Sequence, residues 1–218
     1  MKINRRKFIT LSSASGLAAG STQAATDNHP QQPVTPRQTE GPFYPIVAQK
    51  DKDFDLTQIE GRDEKAKGRT IEIIGRVIDR DGKPVEDATV DLWQANAAGK
   101  YRHPHDPNPA PIDENFQGWA IVPSGKDGGF QFKTIYPGAY PASKKWTRPP
   151  HIHFKVSKRG YDELVTQMYF EGEELNQTDR LLQRMSADEQ KRMIATTKKD
   201  QADQYHYTVV IEKVPDKE

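Results

Sequence analysis

His151 and His153 flank one isoleucine at the start of the β-branched and aromatic run His151-Ile152-His153-Phe154-Lys155-Val156-Ser157. Side chains two apart on a strand share a face, so both imidazoles can reach one metal ion while Ile152 points into the opposite layer. Arg148 lies three residues upstream, in Trp146-Thr147-Arg148-Pro149-Pro150. The two prolines stiffen the approach, because each fixes its own φ and restricts the residue before it. Tyr140 stands in the rigid turn Tyr136-Pro137-Gly138-Ala139-Tyr140-Pro141, and Tyr101 closes the stretch Trp93-Gln94-Ala95-Asn96-Ala97-Ala98-Gly99-Lys100. A lone His-x-His also suits two ordinary histidines, and a lone tyrosine a packed amphipathic residue. Imidazoles with phenolates suit a hard cation. The same histidines with a carboxylate would suit a zinc hydrolase, and with no metal at all the chain would be a secreted β-sandwich binding module. His103, in a loop rich in prolines and histidines, could be a third ligand or simply a loop residue, and His206 reads as structural.

These residues need strands and stiff loops to bring them together. Runs at Thr70–Asp79, Thr89–Gln94, Trp119–Val122, Phe130–Thr134, Ile152–Ser157 and Leu164–Phe170, with a last alternating strand through Tyr205, Tyr207, Val209 and Ile211, read as short β-strands. Asp81-Gly82-Lys83-Pro84 is a turn signal, and Lys126-Asp127-Gly128-Gly129 predicts a hairpin. Ser186 with Glu189 three residues on predicts a capping box and a short helix to about Thr197. Many short strands and one helix give an all-β chain: a β-sandwich core with long loops and one short C-terminal helix.

The chain has 218 residues, with 32 Lys and Arg against 31 Asp and Glu. That length suits one domain with a core of its own. The first 25 residues hold Lys2, Arg5, Arg6 and Lys7 and no acid, so the remainder carries a net charge of about −3. No basic surface for nucleic acid is implied. There is no cysteine, which excludes disulfides and thiolate chemistry. Arg5-Arg6-Lys7-Phe8-Ile9, a mildly apolar run over Thr10–Gly20 and small residues around Ala24-Ala25 have the layout of a twin-arginine signal peptide. That run is too short and too rich in Ser, Ala and Gly for a stable membrane span. The expected organisation is a signal peptide at 1–25, a Pro/Gln-rich linker at 26–38 and a catalytic domain at 39–218, exported to the periplasm or secreted.

Taken together, Trp93-Gln94-Ala95-Asn96, Tyr101-Arg102-His103, Pro137-Gly138-Ala139-Tyr140-Pro141, Arg148-Pro149-Pro150-His151-Ile152-His153 and Thr166-Gln167-Met168-Tyr169-Phe170 resemble the intradiol ring-cleavage dioxygenases in order and spacing. The likeness runs from about Thr39 to Gly172 and is greatest to the protocatechuate 3,4-dioxygenase class, iron-bearing subunit. It implies one Fe(III) per chain held by Tyr101, Tyr140, His151 and His153. It also implies a small aromatic diol and O2 as substrates, cleavage between the hydroxylated carbons to a cis,cis-muconate-type diacid, and either a homo-oligomer or a paired subunit. By the same likeness Tyr140 doubles as the base, Arg148 stabilises negative charge on the ring, Gln167 orients the site, and Thr39, Gly41, Pro42, Phe43 and Trp93 border the substrate. The physical chemistry agrees: two anionic oxygens stabilise a ferric ion and disfavour its reduction, and a bound cation favours phenolate over phenol. One departure stands out. Ala142 occupies a position where the protocatechuate class usually has tryptophan, and the Ser143–Thr147 loop is shorter.

Overall fold

A computed structural model describes residues 30–49 and 51–215; the signal-peptide segment expected at 1–25 lies outside the described residues. Ten strands form the domain: β1 Thr70–Asp79, β2 Thr89–Trp93, β3 Trp119–Pro123, β4 Gly129–Ile135, β5 Tyr140–Ser143, β6 Trp146–Arg148, β7 His151–Ser157, β8 Leu164–Phe170, β9 Ile194–Lys198 and β10 Gln201–Ile211. Eight of them form one nearly closed sheet in the order β3-β2-β7-β8-β9-β10-β1-β4, and β5 pairs only with β6. β8 and β9 meet at just two positions, Tyr169 with Ile194 and Phe170 with Ala195. The sheet therefore folds there into two facing halves, a β-sandwich.

Alternation decides what lies between the halves. β1 turns Ile71, Ile73 and Val77 inward, and β7 turns in Ile152, Phe154 and Val156. The ring of Phe154 lies within 5.5–6.4 Å of the rings of Phe130, Phe132 and Tyr207 from the opposite half. Cutting such a buried aromatic to alanine costs about 3–5 kcal/mol. The same alternation turns the other residues of one half sheet outward: Trp119 on β3, Asp91 and Trp93 on β2, His151, His153 and Lys155 on β7, Gln167 and Tyr169 on β8. Register aligns Trp93 with His153, His153 with Gln167, and His151 with Tyr169. The chemistry-bearing residues thus share a single outer face, roofed by loops.

Four local expectations need correction. The Lys126–Gly129 turn forms, with the Gly125 amide donating to the Gly129 carbonyl, but β3 and β4 do not pair. The turn carries the chain from one half of the sandwich to the other, and Gly128 lets it pass directly against the Val77 carbonyl. The capping box at Ser186 is present, but α1 ends at Met193, and residues 194–198 form β9, whose Ala195 is fully buried in the core. The end of the turn at Tyr136–Pro141, the Ser143–Thr147 loop and the start of the stiffened approach to His151 together form the β5–β6 hairpin. Residues 32–38, read as linker, are fastened along the sheets. The Thr35 amide donates to the Val210 carbonyl, the Gln38 amide to the Val165 carbonyl, and the Thr166 hydroxyl to the Pro36 carbonyl.

Candidate metal centre

Tyr101, Tyr140, His151 and His153 converge, each no more than 8% exposed. The Tyr101 hydroxyl lies 3.5 Å from His151 Nε2, a spacing that two donors of one ion can share. Ring centroids are 5.6 Å apart for Tyr101–Tyr140 and for Tyr140–His151, and 5.0 Å for His151–His153.

Each side chain is positioned from outside the cluster. His151 Nδ1 is 2.6 Å from the Pro149 carbonyl. That carbonyl can only accept, so Nδ1 carries the proton and Nε2 presents its lone pair. His153 is stacked on the fully buried Trp93 at 4.9 Å and 12°. The Tyr101 amide donates to Asp106 Oδ2 at 2.8 Å. The loops bearing the two tyrosines touch backbone to backbone. A Cβ on Gly99 would strike the Ala139 carbonyl, and one on Gly138 would lie 2.5 Å from the Ala97 carbonyl and the Gly99 nitrogen. The Gly138 amide also donates to the Asn96 carbonyl at 2.9 Å.

Behind the cluster lies Arg148, 5% exposed. Its Nη2 donates to Gln167 Oε1 at 2.6 Å and to the Tyr169 hydroxyl at 3.1 Å, and its Nε faces Asp179 Oδ2 at 3.3 Å. Nη1 is the guanidinium nitrogen these bonds leave free. Among the described residues Gln167 bonds no histidine; its Nε2 donates to the Thr39 carbonyl at 3.0 Å, tying Arg148 to the segment that crosses the site. In that segment Gly41, at φ +74°, lies against the edge of the His153 ring, and Phe43 packs on Tyr101 at 5.0 Å and Tyr140 at 6.5 Å. Thr39 and Pro42 are exposed above them. Trp93 supports His153 from below rather than lining an opening.

Burial, with Arg148 adding to it, pushes the His153 imidazole down to about 3, and burial, Arg148 and His153 hold His151 well below its usual range. Both are therefore neutral at physiological pH, as ligands must be. Burial raises both phenols above their usual value: the neighbouring Tyr140 adds to this for Tyr101, while Arg148 pulls both down. The cluster is rich in side-chain N and O atoms that can bind a cation. His153 Nδ1 is also buried without a hydrogen-bond partner. Two neutral imidazoles and two phenols fit a ferric ion. Among the described residues, no three His, Cys, Asp or Glu side chains gather as a metal site, so the carboxylate that a zinc hydrolase needs is not beside the histidines.

Other candidates fall elsewhere. His103 packs against Phe43 and His105, and its Nδ1 accepts from the His105 amide. His206 lines a hollow of about 560 Å³ on the outer face of the opposite half sheet, with Arg76, Gln131 and Thr208. Asp106 and Asp179 were not singled out in the sequence, where nothing marks a loop aspartate as the partner of a distant tyrosine or arginine. Tyr169 had a usable signal, standing two residues from Gln167 on one strand face.

The sequence and the fold match a known group. A dioxygenase family model covers residues 39–212, and the chain belongs to the intradiol ring-cleavage dioxygenase family. It is 39% identical over 168 residues to the protocatechuate 3,4-dioxygenase beta chain of Burkholderia cepacia, covering 73% of this chain and 71% of that one. It is 35% identical over 154 residues to catechol 1,2-dioxygenase 1 of Acinetobacter lwoffii, covering 65% of this chain but only 48% of that relative's length. Among solved structures, the dioxygenase domain of a carbohydrate-binding fusion from Streptomyces sp. SirexAA-E superposes with a TM-score of 0.61 at 26% identity, over 84% of this chain and all of that one. The 3-chlorocatechol 1,2-dioxygenase of Rhodococcus opacus 1CP superposes at 0.64 and 22% identity, over 87% of this chain and 75% of that one, a likeness of fold.

Proposed function

We propose that this chain is a non-haem ferric dioxygenase that inserts both atoms of O2 into a catechol-type ring between its hydroxylated carbons, giving a cis,cis-muconate-type diacid. The observation that carries this is the convergence of two neutral imidazoles and two phenols at one buried point, with a guanidinium behind them. Tyr101, Tyr140, His151 and His153 would hold the iron. Bound there, the ferric ion supplies a positive centre that favours the doubly deprotonated diol and draws electron density from its ring.

The chain's own residues do the rest. Tyr140, at 8% the most exposed of the four, would be the base: held as phenolate by the bound cation, its oxygen would take a proton from a substrate hydroxyl, and burial favours the neutral phenol that results. Arg148 holds a fixed positive charge where ring charge develops, with Nη1 free to donate. Gln167 keeps Arg148 and the crossing segment in one arrangement. Phe43 shields both tyrosines from water. The names of the relatives support a vicinal diol as the substrate class, and the beta-chain relative supports assembly with a second copy or a paired subunit. Residues 1–25 are proposed as a twin-arginine leader to the periplasm or beyond, supported by the order Arg5-Arg6, apolar run, Ala24-Ala25.

The test is O2 uptake by iron-assayed protein on protocatechuate, catechol, chlorocatechol and hydroxyquinol, with the product identified. Equal consumption of O2 and diol, with a ring-opened diacid, is expected from at least one. Iron-loaded protein that consumes none of them would overturn the proposal.

A further inference from the structure

Residues 39–44 cross the metal centre as a strap, and three bonds outside the centre hold it. Gln167 Nε2 donates to the Thr39 carbonyl at 3.0 Å. Lys155 Nζ pairs with Glu40 Oε2 at 2.6 Å. The Tyr44 hydroxyl donates to Asp91 Oδ2 at 2.7 Å. The third bond is the built one. Asp91 is 6% exposed, and its other oxygen accepts from Trp119 Nε1 at 2.8 Å. The Lys155 ammonium sits 3.9 Å from the centre of the Tyr44 ring, and that ring meets Trp93 edge-on at 4.9 Å. Trp93 in turn carries His153. Strand register makes this possible: Asp91 pairs with Lys155 and Trp93 with His153, so carboxylate, ammonium, indole and imidazole form two adjacent rungs on one sheet face. Tyr44 lies across both rungs.

We propose that Asp91 is a positioning residue for the ring-cleavage site. It touches neither the four donors nor the space before them. By holding Tyr44, it keeps Gly41 against His153 and Phe43 against Tyr101 and Tyr140, and so sets the wall of the substrate cleft. A half-exposed strap without strand pairing owes its order to such anchors. The Tyr44 bond is charge-assisted and its carboxylate is buried, whereas the Lys155–Glu40 pair is partly exposed and screened by water. The anchor therefore governs how tightly the diol is gripped more than how fast it reacts once bound.

The role in catalysis rests on the ring-cleavage reading, but the anchoring does not, and the test separates them. Tyr44→Phe removes one hydroxyl from a half-buried side chain and leaves the fold's core untouched; Asp91→Asn keeps the shape and removes the charge. In metal-free full-length protein, both variants are expected to raise backbone hydrogen exchange in residues 39–44 roughly tenfold, with β1 and β10 unchanged. In iron-loaded protein both are expected to raise KM for the diol about tenfold, with kcat within about threefold and iron content at the parental level. Strap exchange at the parental rate in both variants would overturn the proposal. So would a loss confined to kcat with KM unmoved. If parental protein opens no diol at all, the ring-cleavage reading falls and the exchange result decides the anchoring alone.

Discussion

His151 Nε2 faces the Tyr101 hydroxyl at 3.5 Å while its Nδ1 is held by the Pro149 carbonyl at 2.6 Å. The proline-stiffened approach thus does more than aim the strand: its carbonyl selects the tautomer whose free lone pair points at the tyrosine. The protein as purified is expected to be coloured and to hold close to one ferric ion per chain. His151→Ala and His153→Ala should each cut iron content to about a tenth or less, with the colour falling in proportion. Tyr140→Phe should retain iron through three ligands, with a shifted spectrum and slowed substrate deprotonation. Metal analysis and visible absorption check all three; full iron in His153→Ala would remove it from the ligand set.

Arg148 should separate chemistry from metal binding, since a guanidinium cannot ligate a cation. Arg148→Ala is expected to keep the iron and lose about 100- to 1,000-fold in turnover, the usual effect of removing one fixed donor aimed at developing charge. The structure adds a complication. Asp179, with no exposed surface, loses its charged partner in that variant, and breaking a buried pair costs about 3–5 kcal/mol of stability. Arg148→Ala with Asp179→Asn should recover much of that stability and none of the turnover. Recovery of turnover in the double variant would show that Arg148 acts only through stability.

Export is tested independently of the site. Replacing Arg5 and Arg6 by lysine keeps the charge but removes the pair that a folded-protein exporter reads. The double variant should stay in the cytoplasm while the parent reaches the periplasm, followed by fractionation and blotting. Equal export of both would mean that a twin-arginine route does not carry this chain.

That Tyr101, Tyr140, His151 and His153 converge was legible because their motifs, ambiguous one by one, agree together in order and spacing with one family: a His-x-His on a strand, a tyrosine after a Pro-Gly turn, a tyrosine ending a Trp-Gln-Ala-Asn stretch. The sandwich was legible because alternation in β1, β7 and β10 marks one buried face. What escaped depends on register and on contacts between distant segments. Asp91 matters because it pairs with Lys155 across two strands, and nothing near residue 91 announces residues 44 or 119. β9 escaped because residues 194–198 follow a well-capped helix and carry no full alternating pattern; the parallel contact with β8 makes them a strand. The β5–β6 hairpin escaped because Pro141 and two lysines at its tip disguise it as a loop.

The contact between Gly99 and the Gly138-Ala139 backbone gives a prediction that neither tyrosine reveals alone. Gly99 is two residues before Tyr101, and Gly138 is two before Tyr140. Each lies where an added Cβ would force the two loops apart. Gly99 also has φ +75°, a conformation that L side chains resist. Gly160 has φ +84° but nothing within 4 Å of a would-be Cβ, so it isolates the backbone cost alone. Gly160→Ala is expected to lose about 1 kcal/mol. Gly99→Ala should lose that and about 1–3 kcal/mol more for overpacking against a carbonyl that cannot move aside cheaply. Gly138→Ala should show the overpacking loss without the φ penalty. The site should register the change as well, because separating the loops separates the phenols: iron affinity should fall in Gly99→Ala and Gly138→Ala and stay at the parental level in Gly160→Ala. Thermal unfolding of the metal-free proteins and iron titration of each give the two readouts. If Gly99→Ala costs no more than Gly160→Ala and binds iron as the parent does, the loops are not what sets the spacing of Tyr101 and Tyr140.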